Sequence, residues 1–221
     1  MINACRPFIV LFIICMLFTP AAAVESIDEI VGQLQNNYQT VNSYAAKFKQ
    51  EAKIKAYPIT QESSGELFFK KPGKIRWNYQ TPEKQEIVSD GKTVWLYTPS
   101  LNQVMKTDYS QATQSKVASV FLSGMGNLKK DFDLSLESST GKSGFIHLVL
   151  IPKDGSDTVK SLVLTIDSKS KHITGSKLTD IYGNMTMISF SDFKFNIDLE
   201  DSLFDFKPPA GVEITAAPGK P

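Results

Sequence analysis

The side chains that most often carry catalysis or hold metals are sparse in this sequence. Its two histidines, His147 and His172, show no H-x-x-x-H spacing, so the sequence does not predict a zinc site. No G-x-S-x-G nucleophile turn, phosphate-binding P-loop or G-x-G-x-x-G segment is present. His147 lies in an apolar run typical of a strand, and His172 follows the polar stretch Ser168–Lys171, where we expect a solvated residue. Carboxylates are numerous enough to leave glycosidase-like chemistry open, but the sequence predicts neither a catalytic constellation nor a cofactor.

Residues 1–23 have the pattern of a secretory signal peptide. Arg6 precedes the apolar run Pro7–Phe18, and small residues up to Ala23 suit cleavage after that position. The apolar run is too short for a transmembrane anchor. Cys5 and Cys15 lie within the leader and away from the cleavage site, which does not fit a lipidation signal. We therefore expect an exported, non-lipidated protein.

Composition after this leader limits the possible partners. Both cysteines precede residue 24, so the exported chain has neither a disulfide nor a cysteine-ligated metal. The whole sequence has 24 Lys and Arg against 23 Asp and Glu, and Arg6 is the one charged residue of the leader, so the remainder is balanced. A balanced charge argues against a nucleic-acid partner. The length suits a single β-rich domain, residues 24–221.

Short apolar runs separated by turn residues predict a large antiparallel sheet. In its first half the predicted strands are Ser43–Lys55, Glu66–Phe69, Lys74–Tyr79, Glu86–Ser89 and Thr93–Tyr97. In its second half they are Phe132–Glu137, Gly144–Pro152, Ser161–Asp167, Ile173–Asp180 and Met185–Phe195. Roughly ten antiparallel strands in one domain are expected to curl strongly.

Two segments have helical spacing. Ser26–Thr40 carries an apolar stripe, with Ser26 as N-cap and Glu29 completing a capping box. Ser110–Lys130 places apolar residues on one face, and Gly124 and Gly126 divide it into short pieces. Periodicity alone leaves two interpretations of this second segment, a helix that caps the open end of the sheet and a mobile lid over a cavity.

The sequence also leaves open whether the curled sheet encloses a cavity. A tightly closed sheet would be filled by side chains, whereas an open one plugged by helices would enclose apolar space. The 14 Phe and 6 Met residues suit either a core or an adaptable binding surface.

Several motifs together resemble the periplasmic outer-membrane lipoprotein carrier family, LolA. They are Phe48-x-Gln50 after the first helix, Gly65-x-Leu67, Lys71-Pro72-Gly73-x-x-Arg76-Trp77, Ser89-Asp90-Gly91-Lys92-Thr93-x-Trp95-x-Tyr97-x-Pro99, and the ending Phe204-x-Phe206-x-Pro208-Pro209-x-Gly211-Val212. The similarity spans nearly the whole chain after the leader, and the block around Trp95 is its most specific part.

The resemblance implies a fold and a function. The fold is mainly β (α+β), a strongly curved antiparallel sheet forming an unclosed half-barrel, with helices covering the concave face as a lid. The function is that of a monomeric periplasmic carrier without enzymatic activity. It would receive acylated lipoproteins from an inner-membrane ABC lipoprotein-releasing complex and pass them to an outer-membrane lipoprotein acceptor.

Side-chain parity and the resemblance together predict a site. Residues two apart in a strand share a face, so Leu67, Phe69 and Lys71 are expected to point together, as are Ile75, Trp77 and Tyr79. The resemblance implies that Ile75 and Trp77 face the cavity and that Lys71, where the family commonly has Arg, binds the lid. The predicted cavity lining is Phe48, Leu67, Phe69, Ile75 and Trp77 from strands, and Val117, Val120, Phe121 and Met125 from the lid. Lys71 is predicted to donate to backbone carbonyls of Ser110–Met125 as a latch.

Two other functions stay in view at this point. One is an exported carrier or sensor of another lipid or a glycolipid with the same fold, and the other is an enzyme acting on an envelope polymer. Lipid that co-purifies with the protein would separate both carriers from the enzyme, and its head group would separate one carrier from the other.

Overall fold

The computed structural model describes residues 25–122, 127–137, 144–153 and 155–216, without the side chains of Phe121 and Leu122. The predicted signal peptide lies outside these residues. The helices are α1 (Ile27–Thr40), α2 (Tyr109–Ala112), α3 (Lys116–Leu122) and α4 (Leu128–Asp131). The strands are β1 (Ser43–Lys53), β2 (Thr60–Lys70), β3 (Lys74–Thr81), β4 (Gln85–Asp90), β5 (Thr93–Thr98), β6 (Gln103–Asp108), β7 (Phe132–Leu136), β8 (Phe145–Pro152), β9 (Val159–Asp167), β10 (Ile173–Asp180), β11 (Met185–Phe195) and β12 (Glu213–Ala216).

One sheet contains all the described strands, in the order β12-β6-β5-β4-β3-β2-β1-β11-β10-β9-β8-β7. It consists of two antiparallel meanders, β1–β6 and β7–β11, joined where β1 pairs with β11. Among the described residues, the end strands β12 and β7 do not pair with each other, so the curved sheet does not close into a barrel. The predicted mainly β, unclosed architecture is confirmed.

The strand prediction was wrong in three places. β2 begins at Thr60, six residues before the predicted start at Glu66. β6 and β12 were not predicted, and β12 runs parallel to β6. These segments are mostly polar or exposed, so the alternation of apolar residues that marks a strand is weak in them.

Helix α1 forms as its sequence predicts. The Glu29 amide donates to Ser26 Oγ (3.3 Å) and the Ser26 amide donates to Glu29 Oε2 (2.8 Å), which completes the capping box. Ile30, Val31 and Leu34 are buried on its apolar face. In the second helical segment α3 ends at Leu122 and α4 begins at Leu128, and Gly124 and Gly126 lie outside the described residues.

The buried apolar residues form two clusters. The helix-packed cluster joins α1, α3 and α4 to β7–β10, and it consists of Ile30, Val31, Leu34, Val117, Val120, Leu128, Phe132, Ile146, Leu148, Leu150, Leu162, Leu164, Ile166 and Ile173. The aromatic cluster lies on β1–β3 and consists of Phe48, Leu67, Phe69, Ile75 and Trp77.

Strand register shows that both clusters lie on the same face of the sheet. Directly paired residues in neighbouring strands point to the same side. Gln50 pairs with Ile188, Ile188 with Ser176, Ser176 with Leu164, and Leu164 with Leu148. Gln50 shares the side of Phe48, and Leu148 belongs to the helix-packed cluster. The helices therefore cover one half of this inner face, and the aromatic cluster occupies the other half.

The chain after β11 packs on the outer face of β2–β5. Arg76 donates to the Leu203 carbonyl (2.9 Å), and its guanidinium also pairs with Glu86. Phe204 is buried, and the Phe206 ring lies 6.0 Å from that of Trp95 and 5.8 Å from that of Tyr97, measured between centroids. The C-terminal Phe204-x-Phe206 motif thus covers the side of the sheet opposite the aromatic cluster.

A glycine is required where β1, β2 and β3 meet at the aromatic cluster. Gly65 pairs with Phe48 on one side and with Tyr79 on the other, and a Cβ placed on it would lie 1.9 Å from the Asn78 carbonyl oxygen. Without a side chain at position 65, the Phe48 and Tyr79 rings meet edge to face at 4.9 Å.

We predict that Gly65→Ala lowers the free energy of unfolding by about 1–3 kcal/mol or more, because the strands must separate to admit the methyl group. The matched control is Gly32→Ala in α1, where an added Cβ meets nothing within 4 Å. That change should raise the free energy of unfolding by roughly 0.5–1 kcal/mol, since alanine is the better helix former. Urea unfolding followed by circular dichroism measures both, and equal stability of Gly65→Ala and the natural protein would contradict the close approach.

A second prediction concerns the stability of the fold at acidic pH. Hydrogen bonds from Lys70 and then Lys74 lower the pKa of Asp201 from 3.8 to about 2. Because the folded-state pKa is below the unfolded-state value, the resulting stabilisation is present above about pH 4 and is lost as pH falls toward 2. Between these values the natural protein should lose stability more steeply than Asp201→Asn, as measured by urea unfolding at each pH. Parallel pH profiles would show that these exposed ion pairs do not hold the C-terminal segment.

Candidate functional site

The five predicted strand residues of the site come together in the structure. Leu67 pairs with Trp77 and Phe69 with Ile75 across β2 and β3, while Phe48 approaches them from β1. The Phe48 and Trp77 rings are 4.9 Å apart between centroids. All five are buried together and make up the aromatic cluster. That they bind lipid stays a prediction.

A ring of half-buried side chains surrounds the aromatic cluster. It consists of Tyr44, Tyr79, Ile87, Ile188 and Phe190. Two of these come from β11 and were not assigned to the site from sequence, because only the pairing of β1 with β11 brings them to the cluster. Phe190 pairs directly with Phe48, and its ring lies 6.0 Å from that of Trp77.

The predicted lid residues lie elsewhere. Val117 and Val120 on α3 are buried in the helix-packed cluster with the apolar stripe of α1, and they are not part of the aromatic cluster. The side chain of Phe121 and the whole of Met125 lie outside the described residues. The single lining predicted from sequence is therefore divided between two clusters, because α3 packs over β7–β10 rather than over β1–β3.

Lys71 contacts a different helix from the one predicted. Its Nζ donates to the backbone carbonyls of Tyr38 and Gln39, both at 2.9 Å, and these lie in the last turn of α1 rather than in Ser110–Met125. The predicted partner was wrong. The last carbonyls of a helix lack partners within it and form the negative end of its dipole. The last turn of α1 has no basic residue of its own, so Lys71 supplies the missing cation from the β2–β3 turn.

Exposure increases along β1–β3 with distance from Lys71. Along β1, Phe48 is buried, Gln50 half-buried and Ile54, just beyond the strand, 49% exposed. Along β3, Trp77 is buried, Tyr79 half-buried and Thr81 exposed. The same order holds from Leu67 through Ser63 to Gln61 on β2. The inner face is thus tied to α1 near the β2–β3 turn and becomes accessible toward the β1–β2 and β3–β4 turns.

The polar groups at the aromatic cluster are uncharged. Burial raises the pKa of Tyr44, with a smaller contribution from nearby Tyr38, and burial also raises the pKa of Tyr79. Tyr38 has its pKa raised to about 12, again by burial. All three phenols therefore stay protonated at neutral pH. The Tyr79 hydroxyl donates to Gln50 Oε1 at 3.0 Å. This surface is chemically suited to an apolar ligand with neutral polar groups.

Neither histidine is a member of the aromatic cluster. His147 contacts Thr165 Oγ1 through Nδ1 at 3.4 Å, as a partnered strand residue. His172 was expected to be solvated, but its ring stacks on Phe195 at 4.2 Å between centroids, and burial lowers its pKa. Among the described residues, no group of three His, Cys, Asp or Glu side chains could hold a metal ion. Within the same residues, none of the helices has the length and apolar character needed to cross a membrane.

Comparison with known proteins agrees with the fold. Residues 39–207 match the family described as "Outer membrane lipoprotein carrier protein LolA". An outer-membrane lipoprotein carrier protein of Methylococcus capsulatus is 31% identical over 211 residues, covering 96% of this chain and 97% of that protein. The protein of the same description from Nitrosomonas europaea is 31% identical over 209 residues, covering 94% and 96%.

A solved structure shows the same architecture. It is an uncharacterized conserved protein from Thermus thermophilus, with a TM-score of 0.56 and 16% identity. The similarity covers 87% of this chain and 100% of that one. At this identity the likeness supports the fold alone.

The contact of Lys71 with α1 leads to a prediction about local stability. Lys71→Met removes the donors to the Tyr38 and Gln39 carbonyls and keeps a similar apolar stem. Amide hydrogen exchange in the last turn of α1 should become about fivefold faster, which corresponds to roughly 1 kcal/mol for a partly solvated charged donor. Lys71→Arg should keep the protection because it keeps a cation at this position. The control is Lys84→Met in the exposed β3–β4 turn, and the same change in exchange in both Met variants would contradict a specific contact.

Proposed function

Since the chain belongs to the LolA family of outer-membrane lipoprotein carrier proteins, we propose that it binds the acyl chains of lipoproteins on the inner face of β1–β3. It would receive them in the periplasm after their release from the inner membrane and deliver them to the outer membrane. The observation that carries this proposal is the aromatic cluster. It lies on the inner face of an unclosed sheet, the half-buried side chains around it and Gln50 at its accessible end are also uncharged, and exposure increases from it along three adjacent strands.

The driving force for loading follows from the size of the cargo. Each methylene moved from water to an apolar surface contributes about 0.8 kcal/mol. A lipid with several acyl chains is therefore strongly driven onto any accessible apolar face. Because all five residues of the aromatic cluster are buried, loading requires the half-buried ring around them to move aside.

Release must overcome the same free energy. Either an acceptor binds the acyl chains more tightly, or the carrier favours a state that excludes them. We propose that Lys71 acts as a latch of this second kind, because its two hydrogen bonds tie the β2–β3 turn to the end of α1. The ligand would then compete with closure of α1 on the sheet, rather than with α3 as the sequence suggested.

This function involves two further proteins and no covalent chemistry. We propose that an inner-membrane ABC lipoprotein-releasing complex supplies the cargo and that an outer-membrane lipoprotein acceptor receives it. The carrier itself makes and breaks no bond, and apolar contacts need no cofactor. Mass spectrometry of ligands bound to the purified exported protein would identify the cargo. Acylated protein supports the proposal, whereas a glycolipid or other free lipid in its place would indicate a carrier of that lipid.

A charge placed at the aromatic cluster should abolish carriage. We predict that Ile75→Glu lowers the amount of lipoprotein released from spheroplasts into the soluble fraction by at least about tenfold, because an unpaired carboxylate is costly to bury beside acyl chains. Ile87→Glu, in the half-buried ring, should act in the same direction with less risk to folding. Circular dichroism establishes that each variant is folded.

The matched control is Ile151→Glu, the same change at a site on β8 that is 47% exposed. It should leave release unchanged. Normal release by folded Ile75→Glu and Ile87→Glu variants would mean that the aromatic cluster is ordinary core packing and that cargo binds elsewhere.

A further inference from the structure

The accessible end of the aromatic cluster carries a fixed pair of polar side chains. Gln50 follows Phe48 on the same side of β1, and Tyr79 follows Trp77 on the same side of β3. Both are half-buried, and their side chains meet across β2, with the Tyr79 hydroxyl donating to Gln50 Oε1 at 3.0 Å. These two residues therefore mark the boundary between the buried apolar surface and the exposed strand ends.

This hydrogen bond determines what the glutamine offers to a ligand. A glutamine amide has one acceptor oxygen and two N–H donors. With Oε1 directed to the Tyr79 hydroxyl, the donors on Nε2 point away from it. Among the described residues, no oxygen accepts a hydrogen bond from Gln50 Nε2. The amide is thus oriented, with its donors available.

The surroundings of Gln50 make these donors selective. Its partners are Ile188 on β11, which packs against the aromatic cluster, and Ser63 on β2. Its neighbours on the same strand face are Phe48 and Ala52. Lys49 and Glu51 point to the opposite face of the sheet. A half-buried donor among uncharged neighbours favours a neutral acceptor that arrives with an apolar chain, since an unpaired N–H there costs free energy.

The length of the aromatic cluster along β1 suits an extended acyl chain. Gln50 and Tyr44 bound the aromatic cluster on this strand, six residues apart, and at a rise of about 3.3 Å per residue they are separated by roughly 20 Å. That span accommodates an extended long acyl chain. The chain end near Tyr44 would lie at the side tied to α1, and the end near Gln50 would lie where the surface becomes accessible.

We propose that Gln50, held by Tyr79, binds the carbonyl oxygen of an ester or amide that links an acyl chain to its head group. This inference rests on the proposed function and adds an orientation to it. The methyl ends of the chains point toward the β2–β3 turn, and the linkage and everything attached to it lie at the β1–β2 end. The carrier then distinguishes acylated cargo from a plain hydrocarbon by one hydrogen bond at the boundary.

The test compares two probes that differ only in a carbonyl group, palmitoyl monoglyceride and the ether hexadecylglycerol. Affinities are measured by displacement of a fluorescent apolar dye from the exported protein. Gln50→Met removes both donors at nearly constant volume, and it should weaken ester binding by about three- to tenfold, the range of one hydrogen bond, while ether binding stays unchanged. Tyr79→Phe frees the amide to rotate and should reduce the preference for ester over ether by a smaller factor.

The control is Gln33→Met, the same change at an exposed position on α1 away from the sheet end that would hold the head group, which should affect neither probe. Equal weakening of both probes by Gln50→Met, or no weakening of either, would overturn the carbonyl contact and leave the carrier function in place. Failure of the natural protein to bind either probe would overturn the carrier function and this inference with it.

Discussion

The pairing of β1 with β11 is the contact on which the rest of the structure depends. β1 is the first strand of one meander and β11 is the last strand of the other, so this single seam makes one sheet from two halves. It places Phe190 opposite Phe48 and Ile188 opposite Gln50, and so completes the ring around the aromatic cluster. Without this pairing, the apolar face of β1–β3 would lack the contacts that Phe190 and Ile188 make with it.

The two halves of that sheet differ in what packs on their inner faces. On β7–β10 the inner face is buried under α1, α3 and α4, and aliphatic residues dominate the helix-packed cluster. This half forms a conventional core that supports the fold. On β1–β3 the inner face carries rings that pack on one another around Gly65, next to neutral polar groups. This uncharged aromatic half is where we propose that the acyl chain binds.

The outer face of β2–β5 is packed separately from the inner face. The C-terminal segment covers the other side of β2–β5 with Phe204 and Phe206, and Arg76, Lys70 and Lys74 bind its backbone and carboxylates. Burial on that side stabilises the strands whatever occupies the inner face. The charged and aromatic motifs near the end of the chain are thus structural, whereas those near its beginning line the candidate site.

Much of this arrangement follows from local sequence. The capping box at Ser26, the turns between strands and the alternation that sets Leu67, Phe69, Ile75 and Trp77 on one face all depend on neighbouring residues, so sequence predicted them. The partner of Lys71, the separation of Val117 from the aromatic cluster and the seam between β1 and β11 depend on residues far apart in the chain. Hydrophobic periodicity states which face of an element is buried but not which other element covers it. Only tertiary packing decided that α1 receives the lysine, that α3 packs on the far half of the sheet, and that Gln50 and Tyr79 meet across Gly65.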